Sequence, residues 1–507
     1  MGKLSLTEIN TVVKDIRDVD VLIGYCYPST YRAGMTSLAT HLFYSSLNRR
    51  KNISCERYFR YDTYSPIRSV ETKRHLKDNH LIGFSLSFEE DILHVVQMLS
   101  EANIPHIAAN RMNEDPIVIM GGPVVSANPC PYELFIDAFV IGEGDLVFHS
   151  IADCILNSES RQDALGKMAE LQGVYVPSIK KQPIKRQIMQ NLDELFHPTK
   201  QIIPDVPEGA KLEPVFGKAL LVEVGRGCGH SCKFCLVGHI CRPRRLRSFE
   251  KLKEIITKGI NETPVRKVAF IAPTLGDLPE FEQLVEWCIE RDLEISAPSL
   301  RADSISRKSL DLLMQGGQRT LTIAPETGSS RLRNILGKGL TDEAILKAVK
   351  LAADAKWYSI KLYFIIGLPY EDEKDILAIT NLSKQIAEIF PGKITISANP
   401  FVPKANTRFE RNAQSPIYII REKIRTLEQG INNIPRVTVE TLDPRHARIQ
   451  ASLSLGDKKM GEIIKIAASY GGLGGWRRAE KETGLPFFAI ANNRERLKGP
   501  LPWKFIQ

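Results

Sequence analysis

Several things this 507-residue chain lacks narrow what it can be. Its N-terminal stretch, "MGKLSLTEINTVVKDIRD", has no apolar core of the kind a secretory signal needs, and Leu6 breaks the myristoylation pattern. No apolar run approaches the length of a membrane span, so no membrane partner is expected. No internal repeat or low-complexity tract is present, which excludes solenoids and collagen-like chains. No convincing hydrolytic triad is found. An odd number of cysteines, nine, in a chain without an evident signal argues for reduced thiols and favours metal or redox chemistry over a disulfide framework, in an expected cytoplasmic setting. The charge excess is small, 68 basic against 59 acidic residues for a net +9, and too diffuse to imply nucleic-acid binding. What is present is enough chain for two or three domains.

Residues 1–155 alternate apolar runs with helix-length segments. The runs are "VLIGYCYP" (21–28), "ISCERYF" (53–59), "HLIGFSLSF" (80–88), "PIVIMGGP" (116–123) and "AFVIGEGD" (138–145). Their length and spacing predict buried parallel strands in an open doubly wound α/β sheet. Such sheets bind ligands beyond their carboxyl strand ends. That rule selects Tyr27, Pro28, Ser29, Thr30 and Gly34 after the first strand, and Ser85, Leu86, Ser87, Phe88 and Glu89 after the third. It adds Gly121, Gly122, Pro123, Val124 and Asn128 after the fourth, and Gly142 and Glu143 after the fifth. Residues 156–215, with "KKQPIKR" and "PDVPEGAKLEP", read as a connector.

From 216 to 415 a second array carries six strand candidates: "ALLVEVGRG" (219–227), "KVAFIAP" (267–273), "EISAPSLRAD" (294–303), "TLTIAPETG" (320–328), "SIKLYFIIGLP" (359–369) and "ITISANPFVP" (394–403). Six β/α units predict a partial parallel barrel with its chemistry at the C-terminal strand ends. Those ends carry Pro273 and Thr274, Ser299 and Arg301, Glu326, Gly367 and Pro369, and Phe401. Residues 416–507 read as a small, mainly helical domain. Its basic group of Arg445, Arg448, Lys458 and Lys459 is a candidate substrate contact.

The densest chemistry lies in "GRGCGHSCKFCLVGHIC" (225–241). A structural zinc site would draw its fourth ligand from His230, His239 or Cys241. A dithiol redox site needs only Cys232 and Cys235. An iron–sulfur cluster held by Cys228, Cys232 and Cys235 leaves one iron open. Position favours the cluster, because the loop follows the first strand of the β/α array and so lies at its catalytic face, with Phe234 beside the open iron. Arg242, Arg244, Arg245 and Arg247 follow, either offsetting anionic charge or forming a solvated helix start.

The Cys-x-x-x-Cys-x-x-Cys loop, the strand series and "APETG" resemble the radical SAM superfamily. The resemblance implies a 4Fe-4S cluster on the three cysteines and S-adenosyl-L-methionine bound through its amino and carboxylate groups to the open iron. A low-potential electron donor then cleaves it to a 5′-deoxyadenosyl radical. It also implies that Glu326 and Arg301 hold the ribose or carboxylate, with Phe234, Pro273, Thr274, Ser299 and Phe401 nearby. Cys241 is read as a spare thiol, and Glu326 competes with a rim salt bridge to Arg331 or Arg333.

"DPIVIMGGPVVSANPCPYELFIDAFVIGEGD" (115–145), ahead of such a barrel, is similar to cobalamin-binding radical SAM methyltransferases. The cofactor then implied is cobalamin, as methylcobalamin, held without a protein histidine, since no Asp-x-His-x-x-Gly motif occurs. The activity implied is methylation of an unactivated sp3 carbon. Overall likeness points to the archaeal branch acting on the α-carbon of a glutamine in methyl-coenzyme M reductase, hence a protein substrate and a link to methanogenesis. Methylation of another protein residue, a small molecule or a lipid, and a non-methylating rearrangement or cyclisation, stand as alternatives.

Overall fold

The computed structural model describes residues 6–61, 67–179 and 183–507. The first five residues of the N-terminal stretch and residues 180–182 of "KKQPIKR" lie outside these. All eleven apolar runs form strands. In the first domain they are β1 (Val21–Thr30), β2 (Ile53–Tyr61), β3 (Leu81–Ser85), β4 (Ile117–Gly121) and β5 (Ala138–Val140), joined by β6 (Val174–Tyr175). The sheet order is β2-β1-β3-β4-β5-β6. Pairing is parallel from β2 to β5, with Ile23 opposite Leu81 and Leu81 opposite Ile117, and β6 closes the edge antiparallel through Phe139 and Tyr175. Strand order reverses between β1 and β3, which opens a crevice at their carboxyl ends.

One sheet face, with Ile23, Tyr25 and Ile119, is covered by helices Leu38–Asn48, Phe148–Leu156 and Arg161–Ala169. The other, with Ile82, Phe84, Val118 and Met120, packs on helix Ile92–Glu101 and on the C-terminal helices Pro444–Ser454, Met460–Tyr470 and Gly472–Thr483. The boundary at 155 is therefore corrected: helix Arg161–Ala169 and β6 bury Leu165, Met168 and Val174 in the first domain's core.

The second array is β7 (Leu220–Glu223), β8 (Lys267–Ile271), β9 (Glu294–Ser296), β10 (Thr320–Glu326), β11 (Ser359–Ile366) and β12 (Lys393–Pro400). All pair in parallel, as β9-β8-β7 and β10-β11-β12, and a Leu300–Ile323 bridge joins the two groups. A further strand, β13 (Val437–Glu440), extends the array parallel to β12. Helix Ile417–Ile431 before it buries Ile420, Ile424, Leu427 and Ile431 in the barrel's core, so the unit after residue 416 belongs to the barrel. Helix starts follow local chemistry: the Ser248 hydroxyl accepts from the Lys251 amide, and Thr341 and Asp372 cap the helices behind β10 and β11. Among the described residues no helix is long and apolar enough to cross a membrane.

Candidate functional site

Two cavities lie at strand ends, and they differ in chemistry. The first, at the barrel mouth, is lined by Cys228, Cys232, Cys235, His230, Phe234, Pro273, Thr274, Gly276, Asp277, Ser299, Leu300, Arg301, Ser304, Ala324, Glu326 and Lys338. The loop after β7 thus brings three thiols to one wall, and the ends of β8, β9 and β10 supply the others. Its turn depends on Gly227, at φ 71°, where a Cβ would stand 2.3 Å from the Cys241 carbonyl oxygen and 2.4 Å from that of Pro243. The His230 amide donates to Cys228 Sγ at 3.5 Å. Burial raises the pKa of Cys232, with Lys338 opposing, and that of Cys235, opposed by the backbone amides of Gly238 and Val237.

Cys241 does not line this cavity; its half-buried thiol is placed among Glu143, Arg245 and Arg186. His239 is occupied on both ring nitrogens, Nδ1 with the Cys235 carbonyl at 2.7 Å and Nε2 accepting from the Arg408 amide at 3.3 Å. His230 Nε2 lies 3.0 Å from Asp277 Oδ2. Among the described residues no three His, Cys, Asp or Glu side chains stand close enough to share one metal ion. A cluster asks for something else, one thiolate for each of several irons.

Glu326 occupies a β-bulge at φ 69°, a left-handed conformation that costs a non-glycine residue energy and aims its carboxylate into the cavity. Burial raises its carboxyl pKa, and Lys338, with Nζ 3.0 Å from Oε1, opposes the rise. The competing partners are thereby corrected: Arg331 pairs with Asp375, and Arg333 with Asp342. Arg301 bonds to Asp303 and to the Lys338 carbonyl at 3.2 Å, tying the lysine's loop to β9's end. Phe401 is not brought to the cavity: it is 2% exposed, in an apolar cluster with Leu332, Leu336, Leu368 and Phe409 that backs Phe234.

The second cavity lies at the crevice of the first domain. It is lined by Ser85, Ser87, Gly121, Gly122, Pro123 and Gly142, as expected from the strand ends, and by Tyr25, Ser37, Ala39, Phe43, Gly83, Phe84, Ile119, Val140, Gly144 and Phe148. No charged side chain and no histidine is among them. Gly122, at φ 114°, passes so near Leu86 that a Cβ would stand 2.5 Å from its carbonyl oxygen. A Cβ on Gly83 or Gly144 would approach the rings of Phe148 and Phe43 at 3.3 and 3.1 Å.

The remaining expected contacts lie elsewhere. Thr30 caps helix Tyr31–Thr36, Gly34 packs on Phe59, and Leu86 and Val124 are core residues. Pro28 accepts from His94, Tyr27 bonds to Ser87, Ser29 is half-buried, and Phe88 is exposed. Asn128 is spent on the carbonyls of Ser454 and Gly456, at 3.0 and 2.9 Å, and Glu89 on Lys404. Glu143 binds Arg245 at 2.7 Å and Arg226 at 3.2 Å, and Asp145 binds Arg226 at 2.7 Å, so the "GEGD" turn latches the first domain to the cysteine loop's strand. Arg245 and Arg247 are buried parts of this junction, which corrects the solvated-helix reading; Arg244 reaches Asp277 at 3.5 Å and Arg242 the His230 carbonyl. Arg448 is likewise removed from the expected substrate contacts, being buried against Gln414 and Ser415.

Lys338, Asp277, Phe43 and Phe148 had no signal in the sequence. Lys338 follows a helix, twelve residues beyond Glu326, and the two phenylalanines lie on helices with ordinary core spacing.

Residues 39–177 match the family described as Radical SAM proteins, N-terminal, and residues 222–383 match the Radical SAM superfamily. An uncharacterized protein of Methanocaldococcus jannaschii is 29% identical over 455 residues, 89% of this chain and 92% of that one. An uncharacterized methyltransferase of Pyrococcus horikoshii is 28% identical over 312 residues, 59% of this chain and 65% of its own length. The radical S-adenosylmethionine methyltransferase TsrM of Kitasatospora setae, solved with cobalamin and a 4Fe-4S cluster bound, shares the fold: TM-score 0.58 at 11% identity, covering 92% of this chain and 100% of that one.

Proposed function

We propose that this chain, an enzyme carrying a radical SAM domain, is a cobalamin-dependent radical SAM methyltransferase acting on an unactivated sp3 carbon. The observation that carries the reading is the pairing of a three-thiol cavity at the barrel mouth with an uncharged, glycine-floored cavity in the adjoining sheet, held together by the Glu143–Arg226–Arg245 latch. When bound, a 4Fe-4S cluster with SAM supplies reductive SAM cleavage for hydrogen abstraction, and cobalamin supplies a methyl group.

The donor set fits. Cys228, Cys232 and Cys235 hold the cluster, and no fourth cysteine lines the cavity to block it. Glu326 accepts hydroxyl donors, while Lys338 and Arg301 present positive charge to a carboxylate. Phe234 and the apolar cluster behind it keep water from that wall. In the first domain, the uncharged cavity walled by the glycines of the strand ends and by the rings of Phe43 and Phe148 would take a flat aromatic group, such as the benzimidazole of cobalamin's tail. No charged side chain or histidine lines that cavity, so these residues would hold the tail by shape.

The substrate carried forward from the sequence likeness is the α-carbon of a glutamine in methyl-coenzyme M reductase, with a low-potential protein as electron donor. The test is anaerobic reconstitution with a glutamine-containing peptide of that protein and methyl-deuterated SAM. A labelled methyl on the glutamine, with deoxyadenosine and S-adenosylhomocysteine formed together, supports it. Both products with a different substrate would remove only the glutamine. Deoxyadenosine alone would remove methylation.

A further inference from the structure

The inner wall of the barrel beside the thiol cavity is polar, whereas the inside of a parallel barrel is ordinarily packed with branched apolar side chains. On β11, Ile360, Leu362, Phe364 and Ile366 face the helices, each at most 1% exposed. The alternate residues, Lys361 and Tyr363, point to the opposite, concave side. There Lys361 Nζ crosses β12 to reach Glu440 Oε2 on β13 at 3.0 Å. Lys361 also lies 5.6 Å from the Tyr363 ring centre, and Tyr363 is 37% exposed. Thr322 of β10 is opposite Lys361, so this wall continues from the cavity that Ala324, two residues along β10, lines. At its upper end the Asn399 side-chain Oδ1 accepts from the Leu442 amide at 3.0 Å.

An ion pair this exposed, with side chains 31% and 59% accessible, contributes little to stability. Its chemistry is more informative. The Lys361 ammonium keeps N–H donors beyond the one given to Glu440, and the Glu440 carboxylate keeps a second oxygen. A donor and an acceptor thus stand side by side, facing the open barrel.

We infer that Lys361 and Glu440 form a reader for a side-chain carboxamide, that of glutamine or asparagine in the substrate. The carboxamide oxygen accepts from Lys361 while its NH2 donates to Glu440, and Tyr363 flanks the aliphatic stem. A carboxylate in the same place meets the charge of Glu440, an ammonium meets that of Lys361, and an alkyl group leaves both unanswered. The inference rests on the proposed methyltransferase reading and narrows its substrate class.

The test uses reconstituted full-length enzyme and capped pentapeptides with glutamine, glutamate or norleucine at the centre. Binding is read by fluorescence anisotropy, which needs no turnover. Wild type is expected to bind the glutamine peptide about tenfold or more tightly than either of the others. Glu440→Gln should collapse the preference for glutamine over glutamate by about tenfold, because the new amide donates to a carboxylate, while glutamine over norleucine is kept. Lys361→Met should weaken glutamine binding by a similar factor. A glutamine-to-glutamate ratio unchanged in both variants overturns the carboxamide reader, as does equal binding of all three peptides to wild type. Peptide-free SAM cleavage, read as deoxyadenosine, judges the radical SAM reading separately: variants that cleave like wild type yet leave the peptide ratios unmoved sink only the reader.

Discussion

The two strand-end cavities of this molecule share a position and differ in nearly everything else. The barrel's cavity holds three thiols, a His–Asp pair, two cations and a buried carboxylate. The sheet's cavity holds glycines, three phenylalanines and small hydroxyls, with no charge at all. A carboxyl strand end therefore says where a ligand goes, and the side chains say how it is held: by covalent and ionic bonds in one case, by shape in the other. Mutations should separate the two.

The largest effect is expected at the thiols. Cys228→Ala, Cys232→Ala or Cys235→Ala should each reduce bound cluster and deoxyadenosine to background while leaving cobalamin bound, and Cys241→Ala should leave cluster, deoxyadenosine and cobalamin unchanged; iron, sulfide and corrin absorbance measure this. Next comes the latch. Arg226→Ala leaves Glu143, Asp145 and Glu223 facing one another without their shared cation, and should lower stability by about 3 kcal/mol in denaturant unfolding. Glu326→Ala should slow SAM cleavage about 10- to 100-fold without releasing the cluster, the loss of a charged hydrogen-bond partner. Gly121→Leu, which projects into the uncharged cavity from a position where a Cβ would meet Val140 at an ordinary 3.7 Å, should weaken cobalamin binding about tenfold or more and spare the cluster. Loss of both cofactors in that variant would contradict the separation.

The smallest effect is one of pH. Helix Leu38–Asn48 carries both Phe43 and the fully buried His41, whose pKa is lowered by burial from 6.5 to about 4. The unfolded chain binds the proton first, so the stabilisation is complete above 6.5 and is lost as pH falls towards 4. Between pH 7 and 6 this amounts to about 0.7 kcal/mol, and His41→Gln should remove that share of the slope in a thermal-unfolding series, while the similarly buried His197, lowered to about 3, keeps its own.

Much of this was legible in the sequence, for identifiable reasons. Strands buried on both faces write themselves as apolar runs, and every such run became a strand. "VTVE" (437–440) was missed because an edge strand with two exposed residues carries no such run. Six of the barrel cavity's lining residues beyond the cysteines were named or not according to strand position alone: Phe234, Pro273, Thr274, Ser299, Arg301 and Glu326 were reachable by counting to strand ends. Lys338 was not, because its approach to Glu326 depends on how the helix Ser330–Leu336 folds back. The first domain misled more. Asn128 and Glu143 lie in glycine-rich turns typical of ligand loops, yet their polar atoms serve the C-terminal helices and the barrel. Contacts between distant segments leave no local periodicity to read.

The central claim is that two differently built cavities serve one methyl transfer. Its most direct test is the stoichiometry of products from methyl-deuterated SAM in enzyme holding both cofactors, measured beside enzyme carrying Gly121→Leu. The account predicts deoxyadenosine and S-adenosylhomocysteine in equal amounts with labelled substrate in the first, and deoxyadenosine without methylated product in the second. Labelled product formed at undiminished rate by cobalamin-free enzyme would contradict it.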